Sequence, residues 1–243
     1  LYSSAASDVY KRQRLVATAS QAGRQLIVGH VLPYFPEFAV ARTAAADHRY
    51  GAALGGRFKR VISDPTWLSD FYDSTRVGGP VVDLHVHDAH FIRILFGMPR
   101  EVDAVGRMRG DVVESFEAIF RFDDPQRVVA ASGGVIESQA RPFTHGFELQ
   151  FERATLQFEF AAFTDLPETM PLKILTADGS IERPQFGSAD SIDGFVAEIQ
   201  ELRDAVRENR PSTLLSGALA RDAIAICHAV TRSVRDRKAV AIV

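Results

Sequence analysis

Apolar and polar positions follow three rhythms along this chain. From Arg14, "RLVATASQAGRQLIVGH" has the three-to-four spacing of an amphipathic helix, a stop at Gly23 and an unbroken apolar run, "LIVGH". That order predicts a helix followed by a strand, the step that repeats in parallel α/β sheets. "YFPEFAVARTAAADHRYG" predicts a second helix closed by Gly51, and "ALGGRFKRVIS" a strand. "DPTWLSDFYDSTRVGG" is rich in turn formers and reads as a loop. After Gly97 the period shortens to two. "REVDAVGRMRG", "VVESFEAIFRFDD", "RVVAASGGVIESQ", "THGFELQFE" and "ATLQFEFAAF" are β-branched and aromatic runs with no helix between them, and "LKILTADGSIERP" adds a hairpin with Asp178-Gly179 at its tip. These runs predict an antiparallel meander. Two helices, roughly Ile192 to Asn209 and Leu214 to Arg235, close the chain. The expected class is α+β, a large and mainly antiparallel sheet with helices on one face, preceded by one helix-strand step.

Composition narrows the partners. With 46% hydrophobic residues, 24% charged residues and a net charge of -3, the chain is an ordinary globular one with no run of Lys and Arg, so neither nucleic acid nor an anionic membrane is an expected partner. "RSVRDRK" reads as a solvated helix face. The single cysteine, Cys227, excludes an internal disulfide and a cysteine zinc cluster. No apolar run reaches the roughly 20 residues of a membrane span. "LYSSAASDVYKRQ", Leu1 to Gln13, lacks both the charged start and the apolar stretch of a signal peptide. It is expected to be a non-native leader, translated from adapter sequence ahead of an N-terminally truncated fragment.

The stretch "GGPVVDLHVHDAHFIRILFG" concentrates candidate chemistry. As a strand it would set Asp83, His85 and His87 on one face. "DLHVHD" then resembles the His-x-His strand of the amidohydrolases, metal-dependent hydrolases whose barrel needs about seven more strand-helix units than the meander supplies. As a helix, Gly79 serves as N-cap, Pro80 takes the first position, Gly97 ends it and Pro99 follows. At about 100° per residue, Asp83, His87 and His90 then fall within roughly 60° of one another, while His85 and Asp88 point elsewhere. An aspartate one turn from a histidine is a usable proton-transfer pair. A carboxylate favoured by the helix dipole beside a satisfied histidine is the plainer alternative.

The order of elements, with "AGRQLIVGHVLPYFPEF", "GGPVVDLHVHDAHFIRILFGMP" and the closing "FVAEIQELRDAV" and "LARDAIAICHAVTRSV", resembles the Gfo/Idh/MocA family of nicotinamide-dependent oxidoreductases. The resemblance implies a Rossmann-type domain followed by a substrate domain. On that reading residues 14–30 are the last helix-strand remnant of the NAD(P)-binding domain, and 31–243 the substrate-binding and oligomerisation domain. It implies Asp83 and His87 as the catalytic pair, NAD or NADP as cofactor, no metal, and a sugar, polyol or related hydroxyl compound as substrate. The family's Glu-Lys-Pro lysine and its G-x-G-x-x-G turn have no counterpart in this sequence, so the fragment alone is expected to be inactive. Leu32-Pro33 stands where many members carry arginine. Lys59, Arg60, Trp67, His90 and His145 are further substrate-binding candidates, and His30 a candidate on the cofactor side. A cytoplasmic homo-oligomer joined through the open sheet face completes the expectation. A metal-dependent hydrolase and a non-catalytic binding or assembly protein are its alternatives.

Overall fold

The structure is a computed structural model that describes residues 9–187 and 192–242. Helix α1, Val9–Gln21, starts inside the stretch expected to be leader; the remainder of that stretch, 1–8, lies outside the described residues. Gly23 stops the helix with φ +61°. The apolar run after it forms less than expected. It makes one isolated antiparallel bridge, Ile27 to Ser216, supported by Val28 N–H to the Leu215 carbonyl and Gly217 N–H to the Leu26 carbonyl. No named strand pairs with "LIVGH" among the described residues, so the bridge does not extend into a ladder.

A short 3-10 turn, Leu32–Tyr34, leads into α2, Pro36–Ala46. Strand β1, Ala53–Ser63, follows, then the loop 64–78 and helices α3, Gly79–Asp83, and α4, His85–Phe96. The next strands are β2 (Glu101–Arg109), β3 (Val112–Arg121), β4 (Val128–Ile136), β5 (Phe143–Phe151), β6 (Ala154–Ala162), β7 (Glu168–Thr176) and β8 (Ile181–Glu182). Helices α5, Ile192–Arg207, and α6, Gly217–Asp236, precede the short β9, Val240–Ala241.

Together the strands form one nine-stranded sheet in the order β8-β7-β6-β5-β1-β4-β3-β2-β9. The expected meander is thus split. β1 enters its middle, parallel to β4 and antiparallel to β5, so β4 and β5 never pair. Both edges of β1 are paired, with β4 on one side and β5 on the other, and a Cβ at Gly55 would collide with the Val128 carbonyl oxygen. The helices lie on one face. α4 and α6 pack on each other, α6 over β2 and β3, α4 over β1, and α2 reaches β5 and β6 through Phe38, whose ring lies 4.9 Å from Phe147 and 6.0 Å from Phe158.

The helix pair α3–α4 runs nearly as the end signals predict, with two differences. Gly78 (φ +84°) is the residue before the helix, and Gly79 (φ +68°) its first member. A side chain at 79 would also collide with Val112 Cγ1, so only glycine suits the position. At Leu84 the helix breaks for one residue, φ −101° and ψ −54°, before α4 restarts. Gly97 (φ +83°) ends it.

Helix α5 differs from α6. Its apolar positions Ile192, Phe195, Val196, Ile199, Leu202 and Val206 are exposed, and its inner face carries Gly194, Glu198 and Ala205. α6 instead buries Ala223, Ile226, Cys227 and Val230 against the sheet.

Candidate active site

Four histidines from three segments meet beneath α4. His87 and His90 lie one turn apart on that helix. His30 comes from the extended segment before the 3-10 turn, its ring 5.7 Å from His87 and 4.5 Å from His90. His145 projects from the helix-facing side of β5, stacked at 5.5 Å on Phe38. His30, His90 and His145 are buried and His87 is half-buried. The Nδ1 atoms of all four are buried with no hydrogen-bond partner among the described residues. Buried polar atoms are nearly always paired, so four unpaired ring nitrogens in one place mark hydrogen-bonding capacity held for something else.

All four rings are neutral at neutral pH. Burial holds His30 down to about 4 and His90 to about 3, the second with some help from His30 and against the pull of the Leu214 carbonyl. Burial and then the Arg60 guanidinium hold His145 at about 3. His87 is held well below its ordinary value by burial first, then by Arg60 and the other three histidines. Each imidazole therefore offers one donor and one acceptor, and none carries charge.

The charge that is present is locked. Arg60 Nε donates to Asp88 Oδ2 at 2.7 Å and Nη2 to Oδ1 at 3.0 Å, with both side chains almost wholly buried. Asp88, which the helical spacing set aside, thus takes Nε and Nη2 of Arg60, the guanidinium that acts on His87 and His145. Lys59 lies apart from the cluster. Adjacent strand residues point to opposite faces, and Lys59 reaches Glu159 at 3.2 Å on the sheet's open face, away from the histidines. Trp67, 82% exposed, stands on the loop 64–78. That loop is fastened by Asp64, which accepts from Tyr72 Oη at 2.8 Å and from Arg109 Nη1 at 2.9 Å.

Asp83 lies at the end of α3; part of the residue is open to solvent, but surrounding protein partly desolvates its carboxyl and raises it above the ordinary range. No hydrogen bond among the described residues joins it to His87, because the break at Leu84 shifts the phase between the two. His85 faces the other way, buried 4.9 Å from the Phe116 ring and stacked 6.0 Å from Phe120. The strand reading of "DLHVHD" is thereby overturned, and with it the shared face of Asp83, His85 and His87. Among the described residues no group of three His, Cys, Asp or Glu side chains is placed to hold a metal ion.

Residues 38–157 match the family model of the GFO/IDH/MocA C-terminal domain. The chain carries the C-terminal domain of the Gfo/Idh/MocA family. Its fold recurs in solved structures. UDP-N-acetylglucosamine 3-dehydrogenase from Acidithiobacillus ferrooxidans aligns over 94% of this chain and 68% of that one, with TM-score 0.74 and 19% identity. Levoglucosan dehydrogenase in complex with NADH aligns over 97% and 70%, with TM-score 0.77 and 16% identity. Aldose-aldose oxidoreductase from Caulobacter crescentus, complexed with glycerol, aligns over 96% and 68%, with TM-score 0.76 and 15% identity. At these identities the likeness is one of fold. No curated protein matched the sequence.

Within this Gfo/Idh/MocA domain the helix α4 carries most of the cluster, and His30 and His145 complete it from distant parts of the chain. Sequence reasoning missed Glu198 as a buried acid, which lies against Gly29. Its only trace in the sequence is an acid on the α5 face opposite the apolar stripe, a pattern shared by most surface helices.

Proposed function

We propose that this chain is the substrate-binding part of an NAD(P)-dependent oxidoreductase acting on a hydroxyl carbon of a sugar, polyol or related compound. The observation that carries the reading is the cluster of four neutral histidines with unpaired Nδ1 atoms, of which His87 is the least buried. A polyhydroxylated, uncharged ligand can pair each such nitrogen, as donor or acceptor according to tautomer. In this reading His87, neutral at working pH, takes the proton from the reacting hydroxyl. His30, His90 and His145 hold neighbouring hydroxyls, and Asp83 passes the proton towards solvent. The structural neighbours solved in complex with NADH and with glycerol support the reading by the chemistry of their ligands.

In this reading the nicotinamide end of the cofactor would lie against the uncharged lining, on the His30 side. The pyrophosphate end has no counterpart, since none of the 17 glycines belongs to a G-x-G-x-x-G run. When bound, the nucleotide supplies the hydride acceptor. As domains, residues 31–243 act as the substrate domain and 14–30 as the edge joining it to a nucleotide-binding domain, in a cytoplasmic protein. No helix among the described residues is long and apolar enough to cross a membrane. The open sheet face, with Val105, Ile119 and Val128 exposed, is the surface through which the copies would join.

The test is a titration of the purified chain with levoglucosan and with myo-inositol, followed by NMR of the histidine rings. Shifts confined to His30, His87, His90 and His145 are expected. Unmoved rings at saturating polyol would sink the proposal.

A further inference from the structure

Among the ion pairs of the described residues, only Arg60–Asp88 has both side chains less than a tenth exposed. Its attraction is largely offset by the cost of stripping water from two ions, and a well-packed apolar pair often holds a fold as firmly. Position, not strength, distinguishes it. Arg60 is the cross-strand partner of His145 in the β1–β5 ladder, and its guanidinium carbon lies 5.7 Å from the Phe143 ring, itself 5.0 Å from the His145 ring. Asp88 stands between His87 and His90 on α4. The pair takes Nε and Nη2 of Arg60 and leaves Nη1 outside it. Its two ends face different histidines. His85 feels the carboxylate and the guanidinium in opposite directions. His87 and His145 feel the guanidinium, which in each case comes after burial in holding the ring unprotonated. Burial governs His30 and His90, with His30 and the Leu214 carbonyl acting further on His90. A buried pair of zero net charge thus shows its positive end to two of the four site histidines.

We infer that Arg60 is a positioning residue of the histidine site, turning a balanced buried charge towards His87 and His145 so that both rings stay free to accept a proton and a ligand hydroxyl gives up its own more readily. The inference rests on the proposed function and adds to it the source of the field in which the proton moves. In a water-poor site a fixed positive charge stabilises negative charge as it develops on oxygen. The proton passes from the hydroxyl to His87, and the charge left behind on the oxygen is met by the guanidinium. The groups that face His87 are Arg60 from β1, His30 from the extended segment, His90 from its own helix and His145 from β5, so Arg60 is the one permanent charge among them. Asp88 has a part in selectivity. By occupying Nε and Nη2 it denies that edge of the guanidinium to a carboxylate or phosphate, which would otherwise bind there through two parallel hydrogen bonds.

Two neutral replacements of the pair test this. Arg60→Gln with Asp88→Asn keeps hydrogen-bonding groups, and Arg60→Met with Asp88→Leu fills the same space with apolar atoms; Arg60→Lys alone retains the charge. The histidine rings of the chain are titrated by NMR from pH 8 down to the onset of acid unfolding. In both neutral pairs His87 and His145 should take up protons at least about one pH unit earlier than in the wild type, the scale of one nearby charge. His30 and His90 should not move, and Arg60→Lys should stay close to the wild type. An equal rise in all four rings marks a loosened core and would overturn the inference, as would four unmoved rings or the loss of folding in both pairs. In the nucleotide-binding form of the enzyme, the neutral pairs should lower kcat for polyol oxidation at least about tenfold and leave KM within about twofold, the mark of an interaction made in the transition state. Unchanged kcat would also overturn it. An active form that oxidises no polyol would overturn the proposed function, whereas the ring titration tests Arg60 whether or not that reading holds.

Discussion

Arg60 and Asp88 join the middle strand of the sheet to the helix that carries the histidines, through two hydrogen bonds of 2.7 and 3.0 Å in a nearly water-free setting. Desolvating both ions offsets much of their attraction, so the pair contributes less to stability than its geometry suggests; breaking it is another matter. Asp88→Asn leaves a buried guanidinium facing His87 and His145. We expect it to lose about 3–5 kcal/mol of unfolding free energy in urea titrations. A loss under about 1 kcal/mol would mean that water reaches Arg60 and that the pair is not sealed.

Acid should unfold this protein early. His30, His85, His90 and His145 are held at about 4, 4, 3 and 3 against an ordinary value of 6.5, in each case chiefly by burial. Below 6.5 the unfolded chain takes up protons that the folded chain refuses. Stability from these groups is therefore complete above about 6.5 and falls as pH drops towards 4 and 3. Denaturant midpoints measured at several pH values check this. A midpoint flat between pH 6.5 and 5 contradicts it.

His85 supplies a cleaner single-residue case. Its ring lies between Phe116 and Phe120 with Nε2 buried and unpaired. His85→Leu should remove one of the acid-sensitive groups and move the acid midpoint to lower pH, with ligand binding unchanged. Circular dichroism against pH is the measurement, and an unmoved midpoint would show that His85 is already solvated.

Under the proposed function the two histidines should differ in catalysis. In the nucleotide-binding, active form of the enzyme, His87→Asn should reduce turnover by about 10²-fold or more, the scale of a lost general base. His85→Asn should change it far less. Rates of NADH formation decide the matter, and equal losses would mean that the two are structural alike.

The exposed stripe of α5 should promote non-specific aggregation, apart from any joining of copies through the sheet face. Ile199 and Val206, 60% and 62% exposed, contribute nothing to the buried core. Replacing both with Lys should leave unfolding free energy within about 0.5 kcal/mol, as for ordinary surface sites, and reduce aggregation seen by light scattering. A large loss of stability would place those side chains in contact with the rest of the fold.

Much of the fold was legible because its signals are local. The bounds of β1 follow from "ALGGRFKRVIS", and the span of α3 and α4 from Pro80 and Gly97, since turn formers and fixed φ angles act within a few residues. The insertion of β1 between β4 and β5 was not legible, because strand order is settled by contacts far apart in sequence. The same limit governed the site. His87 and His90 could be placed together by helix period, but His30 and His145 join them only through tertiary packing. The Arg60–Asp88 pair was missed because a helix wheel says which residues leave one face, not what awaits them on the other. Lys59 was within reach: the alternation of a strand already puts it opposite Arg60.

The placement of β1 also sets the order in which this protein can be made. Gly55 pairs with Val128 and Ala53 with Phe151, so the strand at the centre of the sheet is synthesised long before either of its neighbours. During translation Phe58 and Val61 have no partners, while β2, β3 and β4 can zip as successive hairpins soon after they emerge. The two antiparallel halves of the sheet meet only across β1, and its docking closes long loops on both sides at once. That step should limit the refolding rate. Until it occurs, β4 and β5 each present an open edge, which makes the half-folded chain the state most exposed to pairing with another copy of itself.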